Sequence, residues 1–216
     1  MAMKLVSVNI GLPGEVEWNG KTTTTSIWKV PVSGLVRVST LNLQGDRQAD
    51  LSVHGGKDKA VYVYPSEHYA YWQRELAGAE LPWGAFGENF TTEGLTEEFR
   101  IGDRLSIGTA EFAVTQPRMP CYKLAIRFGR PDMVKRFMRS GRTGFYLAVR
   151  REGEIRAGDP IRLDARSAES LSVADIVRLY ATDSDNQEAL TRAARLADLP
   201  EGWKDCFRRR LWVPDQ

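Results

Sequence analysis

Cysteine is scarce in this chain, with Cys121 and Cys206 the only two among 216 residues. Two thiols can neither build a disulfide framework nor supply the cysteine set of an iron–sulfur cluster. Histidine is as rare. His54 and His68 are far apart and neither lies beside a cysteine, so a zinc site has no support. No apolar run approaches the ~20 residues of a membrane-spanning helix, and the opening Met-Ala-Met-Lys-Leu lacks the apolar stretch of a signal peptide. The expected location is therefore the cytoplasm. A net charge of +2 demands neither a membrane nor a specific nucleic acid as partner. There is no dinucleotide fingerprint, and the one Gly-Gly-Lys run, at 55–57, is followed by Asp58 where a Walker loop needs Ser or Thr.

What is present reads mainly as β-structure. Short strands are predicted at Lys4–Val8, Glu15–Trp18, Thr22–Ile27, Gly34–Val38 and Ala60–Tyr64, with Asn19-Gly20 as a hairpin turn. Phe99–Ile107 and Ile155–Leu163 share the pattern Arg-x-Gly-Asp-x-apolar-x-apolar, a turn opening a strand. Two such devices among many short strands predict a barrel closed on itself. Helices are expected at Pro65–Leu76 and Pro131–Arg139, and a returning strand at Thr143–Arg150. After Asp164 strand signals vanish. The division is a β-barrel over 1–164 with a few short helices, then a small all-helical domain over 165–216. Its helices read as 173–181, 186–197 and 201–211, the first capped by Ser172 and Asp175. Leu211 and Trp212 are expected to dock inward behind a basic Arg208-Arg-Arg210 end.

Three places carry chemistry. Glu111–Thr115 reads as a strand stopped by Pro117, and 121–128 as a short helix, so Cys121 sits at a strand-to-helix turn. Arg118, Lys123 and Arg127 lie around it. Free N–H groups and cations both favour a thiolate, although an isolated cysteine is more often a small buried apolar residue. The loop Gln44–Lys59 holds Arg47, His54, Gly55, Gly56, Lys57 and Lys59, a set suited to a phosphate or equally to a solvated turn. Glu88-Asn89, after Gly87, presents polar groups to a ligand or closes a turn.

In order along the chain, Val53-His-Gly-Gly-Lys-Asp-Lys-Ala-Val61, Gly87-Glu-Asn-Phe90, Ile101-Gly-Asp103 and Gln116-Pro-Arg-Met-Pro-Cys-Tyr-Lys-Leu124 resemble the signature of the MOSC domain. The helical end, finishing in Arg-Arg-Leu-Trp, is similar to the three-helix domain of the YiiM-like subgroup. The resemblance covers essentially the whole chain. It implies a barrel that holds molybdopterin, with Cys121 as metal ligand or sulfur site. It further implies reduction of N-hydroxylated compounds such as 6-N-hydroxylaminopurine. A thiolate suits a soft, sulfur-rich molybdenum centre. Lys29, Arg47, Gly55, Gly56, Asn89 and Arg118 are the residues expected to hold the cofactor, with His54 beside Cys121 as a proton source. Pyridoxal phosphate is not expected, because no aminotransferase-like half is present. Electrons would come from a flavin-containing reductase. Two other readings stay open: a carrier of cofactor or sulfur on Cys121 without reductase activity, and a binding protein whose helices recruit a partner.

Overall fold

The computed structural model describes residues 2–51, 55–168 and 170–212. In chain order the strands are β1 (Met3–Ile10), β2 (Gly14–Trp18), β3 (Lys21–Thr25), β4 (Val30–Val32), β5 (Val36–Val38), β6 (Val61–Pro65), β7 (Phe90–Glu93), β8 (Arg104–Ile107), β9 (Ala110–Pro117), β10 (Phe145–Arg151), β11 (Gly153–Ile155) and β12 (Pro160–Ala165). Seven of them close a barrel in the order β12-β8-β9-β10-β6-β7-β1, and pairing of Met3 with Ile161 and of Lys4 with Pro160 returns β1 to β12. Closure leaves those seven strands without a free edge. Among the described strand pairs only β6 and β7 run parallel; β4 pairs antiparallel with Val8–Ile10 of β1.

The repeated Gly-Asp pattern is one turn used twice. Gly102 and Gly158 have φ of +90° and +93°, which only glycine adopts readily. Asp103 and Asp159 each accept from the N–H three residues earlier, at 3.0 and 2.9 Å. The strands these turns open, β8 and β12, then pair with each other. The hairpin is also as expected, with Asn19 and Gly20 both at positive φ between β2 and β3. Several boundaries shift by a few residues, and one of these shifts bears on the site. β9 continues to Pro117, which pairs with Phe145, instead of stopping at Thr115. A terminal strand position with no required N–H donor tolerates proline.

Side-chain alternation builds two layers. On β6, Val61 and Val63 enter the barrel core, while Tyr62 and Tyr64 join an outer aromatic cluster. That cluster includes Trp72 from α1 (Glu67–Glu75), Leu124 from α2 (Tyr122–Phe128) and Phe137 from α3 (Met133–Ser140). Trp72 stacks on Phe137 with ring centroids 5.5 Å apart.

The helical end comprises α4 (Val173–Ala181), α5 (Gln187–Arg195) and α6 (Glu201–Arg208). α4 carries the expected Ser172–Asp175 capping box. These helices have no core of their own: Val173, Ile176, Leu190, Trp203 and Phe207 belong to the same buried cluster as the barrel's Leu105, Phe112 and Val114. Trp203 Nε1 donates to Gln116 Oε1 at 2.9 Å, a direct bond from α6 to β9. Trp212 does not dock. It is 76% exposed, and only Leu211 packs against the core. The chain end is held instead by Arg210, whose guanidinium lies 4.9 Å from the Tyr180 ring and donates to the Tyr180 carbonyl. Arg208 is paired with Glu201 and Asp205, so this end is less cationic than its sequence suggests.

Candidate functional site: a cationic cleft around Cys121

Cys121 is the N-cap of α2, with extended backbone, and is half-buried. Pro120 and the end of β9 at Pro117 put it at the barrel mouth, where it lines a cleft of about 600 Å³, open mouth included. Among the described residues four cationic side chains line the cleft, Lys29, Lys59, Arg118 and Lys123, against one carboxylate, Asp46.

Arg118 is buried, and its Nη1 has no hydrogen-bond partner among the described residues. Its guanidinium lies 4.9 Å from the Tyr62 ring centre and 5.3 Å from that of Phe137. Burial opposes its charge, but charge attraction from Tyr62, Tyr146 and Cys121, were they ionised, outweighs that, so its pKa is raised. Burial also raises both phenols, Tyr62 most, so they stay neutral. A buried guanidinium with an unused N–H, beside a thiol, is a site prepared for an anion.

The Arg118 backbone is fixed from behind. Its N–H donates to the Gly144 carbonyl, and the Gly144 N–H donates to Glu97 Oε1 at 2.8 Å. Glu97 in turn holds His68 Nε2 at 2.8 Å, so His68 is a largely buried strut and not a surface residue. Gly144 has φ +63°, and a Cβ there would stand 2.3 Å from the Val63 carbonyl oxygen. Gly144→Ala should therefore destabilise the fold by at least about 2 kcal/mol. Urea denaturation followed by tryptophan fluorescence measures it, and an unchanged midpoint would refute this placement.

Lys29 is positioned differently. Its ammonium pairs with Asp46, which also accepts from the Gly11 N–H at 2.8 Å and from Asn89 Nδ2 at 2.9 Å. Burial lowers the Lys29 pKa, and Asp46 offsets part of that. Gly84, at φ +87°, lets a neighbouring loop approach so closely that a Cβ would lie 2.7 Å from the Lys29 carbonyl oxygen. The Asn89 amide is fully engaged, accepting from the Tyr62 N–H and donating to Asp46 and to the Asn9 carbonyl. It braces the cleft wall and has no spare group for a ligand.

Glu88, beside it, is wholly buried and accepts from Tyr69, Thr91, Gly84 N and Phe86 N. Burial raises its pKa more than these bonds lower it. Its neutral form thus stabilises the fold below the ordinary glutamate value of about 4.3, and that contribution is lost as pH rises through the raised folded value. Glu88→Gln should remove this component, so its stability should fall less between pH 4.5 and pH 7 than that of wild type. Paired urea midpoints at the two pH values measure the difference, and parallel curves would contradict it.

Of the residues expected from sequence, the cleft brings together Cys121, Lys29, Asn89 and Arg118. It does not include Arg47, which is exposed, or Gly55 and Gly56, which line a separate cleft beside α6. His54 lies outside the described residues. Sequence reasoning missed Asp46, Tyr62 and Tyr146. The alternation Val61-Tyr-Val-Tyr64 did signal two tyrosines on one face; nothing signalled their meeting with Arg118. Among the described residues no group of three or more His, Cys, Asp or Glu side chains is arranged to hold a metal ion. A metal here would have to bring its own chelator and take a single protein thiolate. No described helix is long and apolar enough to cross a membrane.

Comparison with known proteins agrees with this architecture. The MOSC domain matches residues 50–162, and the YiiM-like 3-alpha helix domain matches residues 171–211. Protein YiiM of Escherichia coli strain K12 is 35% identical over 92% of this chain and 95% of its own length. The crystal structure of YiiM from Geobacillus stearothermophilus is 37% identical and superimposes with a TM-score of 0.82 over 97% of this chain and all of its own. A protein of Gibberella moniliformis named "Reductase" is 34% identical over 89% of this chain, which corresponds to 35% of that longer protein. The chain belongs to the MOSC-domain family, in the branch that continues into a YiiM-like three-helix domain.

Proposed function

We propose that the cleft holds a molybdenum–pterin cofactor with Cys121 as the protein ligand, and that the chain reduces N-hydroxylated compounds such as 6-N-hydroxylaminopurine. The observation that carries this reading is the meeting of Cys121 with the unpartnered Arg118 Nη1 in one cationic cleft. MOSC domains are associated with molybdenum cofactor binding, and one relative is named a reductase. The donor set fits such a group. A thiolate suits a soft, sulfur-rich metal centre, and the cations suit the phosphate of its pterin.

When bound, the cofactor supplies the two-electron chemistry that converts R–NHOH, with two protons, to R–NH2 and water. The chain's own residues bind and orient. Arg118, Lys123 and Lys59 anchor anionic groups, and Asp46 and Asn89 hold Lys29 in place. Tyr62 and Tyr146 fix the Arg118 guanidinium and wall the site from water. His54, or a water it orients, is the proposed proton source. The electron donor is a flavin-containing reductase.

Arg118→Gln should lower cofactor retention about ten-fold or more, the scale of one charge-assisted hydrogen bond. Pterin fluorescence after acid release measures it, and full occupancy would remove Arg118 from the anion site. The function itself is tested by turnover. Cofactor-loaded protein should reduce 6-N-hydroxylaminopurine with reduced methyl viologen or a flavin reductase, and should not do so with NADPH alone. Steady turnover on NADPH would contradict the proposed electron route. Loaded protein with no turnover from any donor would make it a carrier.

A further inference from the structure

We infer that the cleft between the barrel and α6 binds a flat aromatic ring bearing an anionic group, as in a nucleoside monophosphate. As the holder of the substrate's body it rests on the reductase reading above; as a binding site it stands on its own geometry. Met119, Pro120, Pro200 and Trp203 give it apolar walls, and Lys57, Asp58 and Lys59 a charged side with two lysines to one carboxylate.

The walls are preformed. Trp203 donates to Gln116 Oε1, and Gln116 Nε2 donates to the Asp58 carbonyl at 3.1 Å, so ring and lysine turn are tied together before any ligand arrives. Preorganisation of this kind reduces the cost of binding a rigid ring.

Gly202 is the second observation. It sits in the first turn of α6 and lines the cleft, and a Cβ there would meet nothing within 4 Å. Its backbone does not have the positive φ that calls for glycine. Alanine in a helix is favoured over glycine by up to about 1 kcal/mol. The glycine leaves this side of the cleft open to an occupant.

The two clefts are neighbours. Lys59 lines both, and the segment 116–121 is their common wall, with Met119 and Pro120 on one side and Arg118 and Cys121 on the other. An occupant of the cleft beside α6 therefore lies next to the cleft of Cys121.

Isothermal titration of the full chain without metal tests the site, using adenosine 5′-monophosphate, adenosine and inorganic phosphate as probes. The monophosphate should bind more tightly than either fragment. Gly202→Leu, whose side chain fills the cleft, should weaken it at least ten-fold without lowering the unfolding midpoint. Lys57→Glu should abolish the preference for monophosphate over adenosine. Equal monophosphate affinity in wild type and Gly202→Leu, or phosphate alone binding as well as the monophosphate, would overturn the site.

The loaded protein tests the link to chemistry. Gly202→Leu should lower kcat/KM for an N-hydroxylated adenosine monophosphate at least ten-fold relative to that for N-methylhydroxylamine. An unmoved ratio overturns the substrate role. Nucleotide binding with no wild-type turnover of either compound leaves the site standing and removes the reductase reading.

Discussion

Cys121→Ser should yield a folded protein without molybdenum. The thiol is half-buried and makes no capping hydrogen bond to α2, so its exchange for a hydroxyl should alter stability by about 1 kcal/mol or less. The metal effect is far larger. Oxygen is a poor substitute for a thiolate toward a soft centre. Groups that merely support a metal ligand already contribute about 10–100-fold in affinity, so loss of the ligand should exceed ~100-fold. Cys206→Ser should retain its molybdenum, because Cys206 lines the other cleft. Metal content and circular dichroism measured together decide the matter. A Cys121→Ser protein with full molybdenum would disprove the ligand assignment, and one that fails to fold would disprove the local account of the cap.

Removal of the helical end should be more destructive still. A chain ending at Asp164 should fail to fold cooperatively, although the sequence divides there into a barrel and a helical domain. The division near residue 164 marks a change of secondary structure and not of core. Ile176, Leu190, Trp203 and Phe207 are buried in the same cluster as Phe112 and Val114 of the barrel. Each such apolar side chain contributes about 1.5–3 kcal/mol when buried, against a total stability of about 5–15 kcal/mol for a typical domain. Deletion of all four, with the Trp203–Gln116 bond, removes an amount comparable to the whole stability. Thermal unfolding of the 1–164 fragment tests this. A sharp transition near the wild-type midpoint would show that the barrel has an independent core.

How far the sequence reveals the site depends on how local each signal is. The Gly-Asp turns, the Asn19-Gly20 hairpin and the Ser172–Asp175 cap are legible because each is settled within a few residues by backbone geometry and one side chain. Cys121 at a strand-to-helix turn is legible for the same reason. The pairing of Lys29 with Asp46, braced by Asn89 from 43 residues further on, depends on barrel closure and leaves no local trace. The same holds for the buried Arg118, whose partners Tyr62, Phe137 and Gly144 come from three other segments. Trp212 misleads for a physical reason. Its apolar size suggests docking, but Arg210 on Tyr180 already anchors the chain end.

The central claim is that one thiolate and a cationic cleft hold a molybdenum–pterin group. Elemental mass spectrometry on the full chain, produced in a host that synthesises molybdopterin, tests it most directly. The account predicts close to one molybdenum per chain, with an equal amount of releasable pterin. A folded, homogeneous protein from that host that contains neither would contradict it.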